Sequence, residues 1–91
     1  MNKFIPYDIH NGVLQLKCAI MNALNDIDSK EEKEINLGEY IPESLVYHCL
    51  VVGGWKTTSI LKDENYTTVK CISPSNQMIT IELGKYTKIY S

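Results

Sequence analysis

The C-terminal half of the sequence constrains the fold most, because runs rich in Thr, Ile and Val alternate there with clusters of turn-forming residues. Such runs are typical of short strands, and the Gly, Pro, Asn, Asp and Ser clusters between them are typical of tight turns. The pattern therefore predicts an antiparallel β-meander of three or four strands. The predicted strands are residues 55–61, 66–72, 78–83 and 86–90, and the predicted turns are residues 62–65, 73–77 and 84–85.

These loop lengths also predict a register for the meander. The second turn places Ile72 opposite Met78, and the first turn places Ile60 opposite Thr67. In this register Trp55, Ile72 and Met78 meet at one end of the polar face of the sheet. The opposite face collects the side chains that a helix would cover, which are Ile60, Val69, Cys71, Ile79, Ile81 and Leu83.

The last predicted strand follows a glycine that suits the first position of a two-residue turn. That turn places Leu83 opposite Tyr86 and turns Tyr86 and Tyr90 toward the covered face. As the end of a meander, this strand is expected to lie at an exposed edge, and exposed edges readily pair with other strands. A homodimer through this edge strand is therefore one hypothesis.

An amphipathic helix is predicted before the meander, over residues 11–27. Its apolar side chains recur at helical spacing, at Val13, Leu16, Ile20, Ala23 or Leu24, and Ile27. Asp8 or Asn11 is a suitable residue to cap the start of this helix. Residues 1–10, which include Pro6, are predicted to form an irregular lead-in.

Residues 42–54 fit two structures. Pro42 at a first helical position, Glu43 beside it and Gly53 after the apolar run favour a helix. The same apolar run, ending in Gly53-Gly54, also fits a buried strand followed by a two-residue turn. We favour the helix. With 91 residues, the chain is then expected to form a single small α+β domain over residues 1–91.

Acidic residues are concentrated between the first helix and this ambiguous stretch. Residues 26–43 hold seven carboxylates against two lysines, a local charge of −5 in a chain whose net charge is −2. Ser29 and Glu32 fit a capping box, which predicts a short helical turn at that point. A solvated connector is the ordinary interpretation of such a segment, but its charge would also attract a basic surface.

The sequence contains no arrangement typical of catalysis or of cofactor binding. Three cysteines, Cys18, Cys49 and Cys71, lack the short paired spacing of a zinc site. His48 and Cys49 are adjacent, and adjacent side chains diverge on a helix and on a strand, so they cannot form a catalytic dyad. We therefore expect no catalytic residues, no metal and no cofactor.

Nucleic-acid binding is the runner-up hypothesis. A helix, a turn, a second helix and a hairpin follow the order of a winged-helix-like regulator. All nine basic residues are lysine, however, and arginine is the side chain that reads guanine bidentately. The negative net charge also opposes general binding to a polyanion, so we expect nucleic acid to be an unlikely partner.

Protein recognition is the hypothesis that these exclusions favour. The candidate contact residues are Trp55, Ile72 and Met78 on the sheet and Asp28, Glu31, Glu32 and Glu34 in the acidic segment. The expected partner is another protein with a basic surface.

The origin and compartment of the chain are inferred from its residue usage. Abundant Ile, Asn, Lys and Tyr indicate an A/T-rich coding genome, as in a phage or mobile element, which suggests an inhibitor of a host defence enzyme that handles nucleic acid. The first residues lack an apolar signal core, no stretch is apolar enough to span a membrane, and the cysteines are odd in number. We therefore expect the cytoplasm, or the host cytoplasm for a phage protein.

Overall fold

The computed structural model describes residues 4–29, 33–38 and 41–91, and the side chains of the first helix from Gly12 onward. Two helices pack on one face of a five-stranded antiparallel sheet with strand order β1-β5-β4-β3-β2. The predicted α+β class is confirmed, with one strand more than the three or four expected. In chain order the elements are α1 (Phe4–Asp28), β1 (Glu34–Asn36), α2 (Glu43–Val52), β2 (Lys56–Lys62), β3 (Thr67–Ile72), β4 (Met78–Leu83) and β5 (Thr87–Tyr90).

Helix α1 confirms the predicted helix but begins seven residues earlier, at Phe4. The irregular lead-in expected over residues 1–10 is therefore wrong from Phe4 onward. Pro6 lies in the first turn, where a backbone N–H has no partner within the helix, so a proline is tolerated there. The prediction treated Pro6 as a break, although its position makes it compatible with a helix start. The short helical turn expected from Ser29 falls mainly on residues outside the described ranges.

The core lies between the helices and the sheet. The second half of α1 supplies Ile20, Leu24 and Ile27, each about 1% exposed, whereas Val13 in its first half is 42% exposed. The sheet supplies the aliphatic side chains that alternate toward the helices on β3, β4 and β5. Full burial of an aliphatic side chain contributes about 1.5–3 kcal/mol, so this layer carries most of the apolar stabilisation.

Helix α2 is the structure that residues 43–52 adopt, as favoured from the sequence. Pro42 precedes it in an extended conformation, and Gly53 follows it and donates its backbone N–H to the carbonyl oxygen of Cys49. The buried side chains are Val46, Cys49 and Leu50, which share one helical face. Val51 and Val52 are exposed. In the sequence, these two residues had favoured the alternative of a buried strand.

The predicted register is confirmed between β3 and β4. Ile72 lies opposite Met78, and Cys71 lies opposite Ile79. Between β2 and β3 the prediction is wrong by two residues, because Ile60 lies opposite Val69 and not opposite Thr67. A shift of two keeps Ile60 on the helix side of the sheet, but its side chain is 44% exposed because β2 is an edge strand.

The prediction for β5 is corrected in two respects. Three residues, 84–86, join β4 to β5, so Leu83 lies opposite Thr87 and not opposite Tyr86. This shift by one residue turns Thr87 and Ile89 toward the core and leaves Tyr86 and Tyr90 outside it. In addition, β1 pairs with β5, so the last strand is internal and the free edges belong to β1 and β2.

Candidate functional site

One face of the sheet is left uncovered by the two described helices, and we call it the open face. The strand registers place adjacent side chains of β3, β4 and β5 on alternate faces, and the helices pack on the face of Val69 and Ile81. No described helix packs on the open face. Its side chains are Lys56, Ser59, Leu61, Thr68, Lys70, Ile72, Met78, Thr80, Glu82, Lys88 and Tyr90.

Two apolar side chains meet on the open face beside the β3–β4 turn, and we call this place the turn end. Ile72 and Met78 are directly opposite each other, as predicted, and the side chain of Met78 is 73% exposed. Lys56 lies opposite Ile72 on β2, and Lys70 precedes it on the same face. An apolar pair on an otherwise polar, uncovered strand face is typical of a contact surface.

Trp55 does not belong to this surface, so its predicted position on the polar face is wrong. It is 8% exposed and forms part of the hydrophobic core. The backbone N–H of Trp55 donates to the carbonyl oxygen of Leu50 at 2.8 Å, which ties the residue to the last turn of α2. The tight turn at Gly53 and Gly54 thus directs the indole inward before β2 begins.

Asp28, at the end of α1, is hydrogen-bonded to the turn that joins Ile72 and Met78. Gln77 Nε2 donates to the Asp28 carbonyl oxygen at 2.6 Å and to its Oδ1 at 3.2 Å, and the Ser75 hydroxyl donates to the same Oδ1. Burial raises the pKa of Asp28, but hydrogen bonds from Ser73, Ser75 and Gln77 outweigh it, so the net pKa is lowered. A charged Asp28 therefore holds α1 to the turn end.

Glu34 lies in the same part of the sheet. It is opposite Tyr90 on the open face, and Tyr90 is opposite Thr80, two residues after Met78. Its carboxylate oxygen is 3.8 Å from the Lys88 amine in an exposed ion pair. The structure thus joins Asp28 to the turn between Ile72 and Met78, whereas Glu34 lies on the same face with β5 between it and β4. The other two acidic candidates, Glu31 and Glu32, lie outside the described residues.

Glu43, the last carboxylate of the acidic segment, lies far from the turn end. It is held at the opposite end of β3. The Thr67 hydroxyl and the Tyr47 hydroxyl each donate to its carboxylate at 3.0 Å, and the Lys62 amine lies at 3.2 Å. Lys62, then Tyr47 and Thr67, lower the pKa of Glu43. Asp28 and Glu43 are separated by the length of β3, about 20 Å, which exceeds the Debye length of about 8 Å in physiological salt.

Cys49 and Cys71 are buried in the core, whereas Cys18 is exposed. Burial raises the pKa of the Cys71 thiol to about 11, and burial also raises the pKa of Cys49, partly offset by Lys17. Thiols shifted in this direction are poor nucleophiles. Among the described residues, no group of three or more His, Cys, Asp or Glu side chains could hold a metal ion.

A groove of about 640 Å³ lies beside α1, away from the turn end. Its lining in the described residues is mainly aliphatic, with Leu16, Leu37 and Ile41 among the contributors and Gln15 as the polar side chain. Among the described residues, no ionisable side chain lines it.

Helix α2 is a poor candidate for the recognition helix of a winged-helix-like regulator. Its buried side chains pack in the core, and its outward side chains are Ser44, His48, Val51 and Val52. The helix contains no lysine, so it offers no cation to the phosphates that flank a groove.

Comparison of the chain with family models, with curated proteins and with solved structures gives no match in any of the three. Neither helix, over its described residues, is both long enough and apolar enough to cross a membrane.

Proposed function

We propose that this chain is a small, non-catalytic protein-binding module whose contact surface is the turn end of the open face. The observation that carries this proposal is the 73% exposure of Met78 opposite Ile72, on a face that neither described helix covers. Methionine is enriched in interface cores because its flexible thioether adapts to a partner surface. A partner that covers this pair buries apolar area which the free chain leaves in water.

The charges around the pair indicate the chemistry of the partner. Asp28 and Glu34 lie toward the α1 and β1 side, and Glu31 and Glu32 belong to the segment that joins those elements. Lys56 and Lys70 lie toward β2. The partner we propose therefore offers an apolar anchor to Met78 and a basic patch to the acidic side.

A host enzyme that handles nucleic acid has such a basic surface, because it must bind phosphates. We accordingly propose inhibition of a defence enzyme of this kind by a phage or mobile-element protein that acts in the host cytoplasm. The small size of the chain and the residue usage of an A/T-rich genome support this assignment.

Affinity capture from host lysate with the wild-type chain and two variants tests the contact surface. The tagged wild-type chain should retain one dominant protein after nuclease treatment, and Met78→Asp should lose it. Val52→Asp is the matched control, because Val52 is 64% exposed on α2 and its replacement should retain the partner. Equal capture by Met78→Asp and the wild type would show that the turn end is not the contact surface.

Nucleic acid remains the second candidate because Lys56, Lys70 and Lys88 all project from the open face. Glu34 and Glu82 are interleaved with them, which weakens the positive potential. Binding to nucleic acid should fall steeply with salt. Recovery of nucleic acid in the capture, with loss of all protein partners after nuclease, would favour this second function and contradict the first.

A further inference from the structure

Met78 presents an oxidisable sulfur atom to solvent at the turn end. Its side chain is 73% exposed, whereas Met21, the other methionine with a described side chain, packs against the core with its terminal methyl group beside Gly53. Peroxide reaches a solvated thioether more readily than a packed one. Within the described residues, the reactive methionine is therefore the one that carries the proposed contact.

The exposure of Met78 has a structural cause. The ladder between β4 and β5 runs from Thr80 to Leu83 and does not reach Met78, the first residue of β4. On its other side, Met78 pairs with Ile72 of β3. Met78 thus has a described strand on one side only, and an oxygen atom added to its sulfur displaces no core contact. Oxidation should consequently leave the fold intact.

We propose that oxidation of Met78 to methionine sulfoxide switches off partner binding at the turn end, an inference that rests on the function proposed above. Hydrogen peroxide is the oxidant. An electron pair of the Met78 sulfur attacks one peroxide oxygen, the O–O bond breaks, and the S–O bond forms while water is released. The sulfur loses two electrons, and the peroxide gains them.

The sulfoxide opposes binding because it adds a strong hydrogen-bond acceptor to an apolar contact. A thioether enters an apolar pocket without losing a strong hydrogen bond to water, whereas the sulfoxide oxygen loses its water when the partner covers it. Lys70 pairs with Thr80 and lies diagonal to Met78 on the open face. Diagonal neighbours are about 7–8 Å apart, so the lysine amine can reach the sulfoxide oxygen in the free chain. That hydrogen bond favours the free chain further.

The thiols of the chain do not offer the same switch. Cys49 and Cys71 are buried and their pKa values are raised, so both react slowly with peroxide. Cys18 is exposed and reacts more readily, but it lies on α1 about 15 Å along the helix axis from Asp28, which contacts the turn end. Cys18→Ser removes this second reaction, and every chain in the test below carries it.

Capture from nuclease-treated host lysate tests the switch. The tagged chain is treated with hydrogen peroxide, the peroxide is removed, and peptide mass spectrometry measures the oxidised fraction of Met78. Circular dichroism of the oxidised chain should match that of the reduced chain. The oxidised chain should retain about tenfold less partner, the factor that corresponds to one unsatisfied polar group in an interface. Equal retention before and after complete oxidation of Met78 would overturn the proposal.

Two replacements of Met78 are the matched controls. Met78→Leu keeps an apolar side chain without sulfur, so it should retain the partner before and after peroxide, although Met1 and Met21 remain in this chain. Met78→Gln places an amide oxygen near the position of the sulfoxide oxygen, so it should lose the partner without peroxide. Loss of the partner by peroxide-treated Met78→Leu would refute the switch, because another residue would then be responsible.

Reduction separates a switch from irreversible damage. The two methionine sulfoxide reductases, one for each sulfoxide epimer, transfer two electrons from dithiothreitol to the sulfoxide and release its oxygen as water. The repaired chain should retain as much partner as the untreated chain. A chain whose Met78 is fully reduced again but which still fails to capture the partner would contradict a reversible switch.

Met78→Asp distinguishes the switch from the proposed function. Loss of the partner by Met78→Asp, together with full retention by the oxidised chain, would refute the switch and leave the contact surface in place. Equal retention by Met78→Asp and the unoxidised chain would contradict the contact surface, and the switch with it.

Discussion

The two faces of the sheet differ sharply although the same strands form both. On the covered face, Ile79 and Ile81 are at most 1% exposed, whereas on the open face Met78 is 73% exposed one residue away. The covered face is filled with aliphatic side chains. The open face is polar except at Leu61, Ile72 and Met78. The contrast indicates that the covered face carries most of the apolar stabilisation and that the open face contributes little to it.

The largest expected effect comes from removing a side chain on the covered face. Ile81→Ala should lower the free energy of unfolding by about 2–5 kcal/mol, because it removes buried methyl groups and leaves a cavity between sheet and helices. Thr80→Ala, the adjacent residue on the open face, should change it by no more than about 0.5 kcal/mol. Urea unfolding followed by circular dichroism measures both. Equal losses would contradict the division into two faces.

Two buried threonines of the described structure, Thr67 and Thr87, lie on the covered face, and the Thr67 hydroxyl donates to Glu43. Thr87 is 1% exposed, and its hydroxyl has no hydrogen-bond partner among the described residues. Thr87→Val keeps the shape of the side chain and removes the unpaired group, so it should stabilise the fold by about 1 kcal/mol. The melting temperature reports this change, and a destabilised variant would show that the hydroxyl is satisfied.

Asp28 links the covered face to the turn end. The ionisation of its carboxylate should make the free energy of unfolding depend on pH in the acid range. Asp28→Asn should cost about 1 kcal/mol at neutral pH, since the hydrogen bonds from Ser75 and Gln77 then reach a neutral group. Unfolding free energies measured from pH 7 down to acid provide the comparison.

The sign of the pH effect follows from the lowered pKa of Asp28. The carboxylate is favoured in the folded state, so its contribution is complete above the ordinary pKa of 3.8 and is lost as pH falls through the lower folded value. The wild type and Asp28→Asn should therefore converge in acid. Asp26→Asn is the control, because Asp26 is exposed and accepts the Ser29 hydroxyl through its backbone carbonyl. A constant difference between the wild type and Asp28→Asn at all pH values would refute this account.

The smallest expected effect belongs to Glu43. Its ion pair with Lys62 is largely exposed, so Glu43→Gln should lower the melting temperature slightly, and the difference should shrink as salt is added. The pKa of Glu43 is lowered, so the difference should also vanish in acid as the carboxylate is protonated. A difference insensitive to salt would show that packing, and not charge, is responsible.

The sequence was sufficient for the parts of the fold that depend on local periodicity. The stripe at Ile20, Leu24 and Ile27 predicts the buried half of α1, and the five-residue turn predicts the pairing of Ile72 with Met78. Both predictions depend on the spacing of residues within one continuous stretch of sequence, which is visible without any tertiary contact.

Features decided by tertiary contacts could not be predicted in the same way. Strand β1 has three residues and too short an alternation to detect, yet it makes β5 an internal strand. The connection over residues 84–86 is one residue longer than the predicted turn. Thr87, and not Tyr86, therefore lies opposite Leu83 on the covered face. Trp55 is a residue type enriched in contact surfaces, yet it is 8% exposed in the core, and the bond of its backbone N–H to α2 is a contact that no sequence pattern signals.

The site was predicted in the same uneven manner. Ile72 and Met78 follow from the register, and their proximity to Asp28 depends on hydrogen bonds between residues nearly fifty positions apart. Gln77 and Ser75, which make that connection, have no sequence signal beyond their presence in a turn.

Oxidation footprinting of methionine tests whether the partner covers the turn end of the open face. Met78 is 73% exposed and should be oxidised quickly by peroxide in the isolated chain, whereas Met21, which packs against the core, is an internal control that should react slowly. In the complex recovered from host lysate, Met78 should become protected while the oxidation rate of Met21 stays unchanged. Oxidation of Met78 at the same rate in the complex and in the isolated chain would contradict the claim that the turn end of the open face binds the partner.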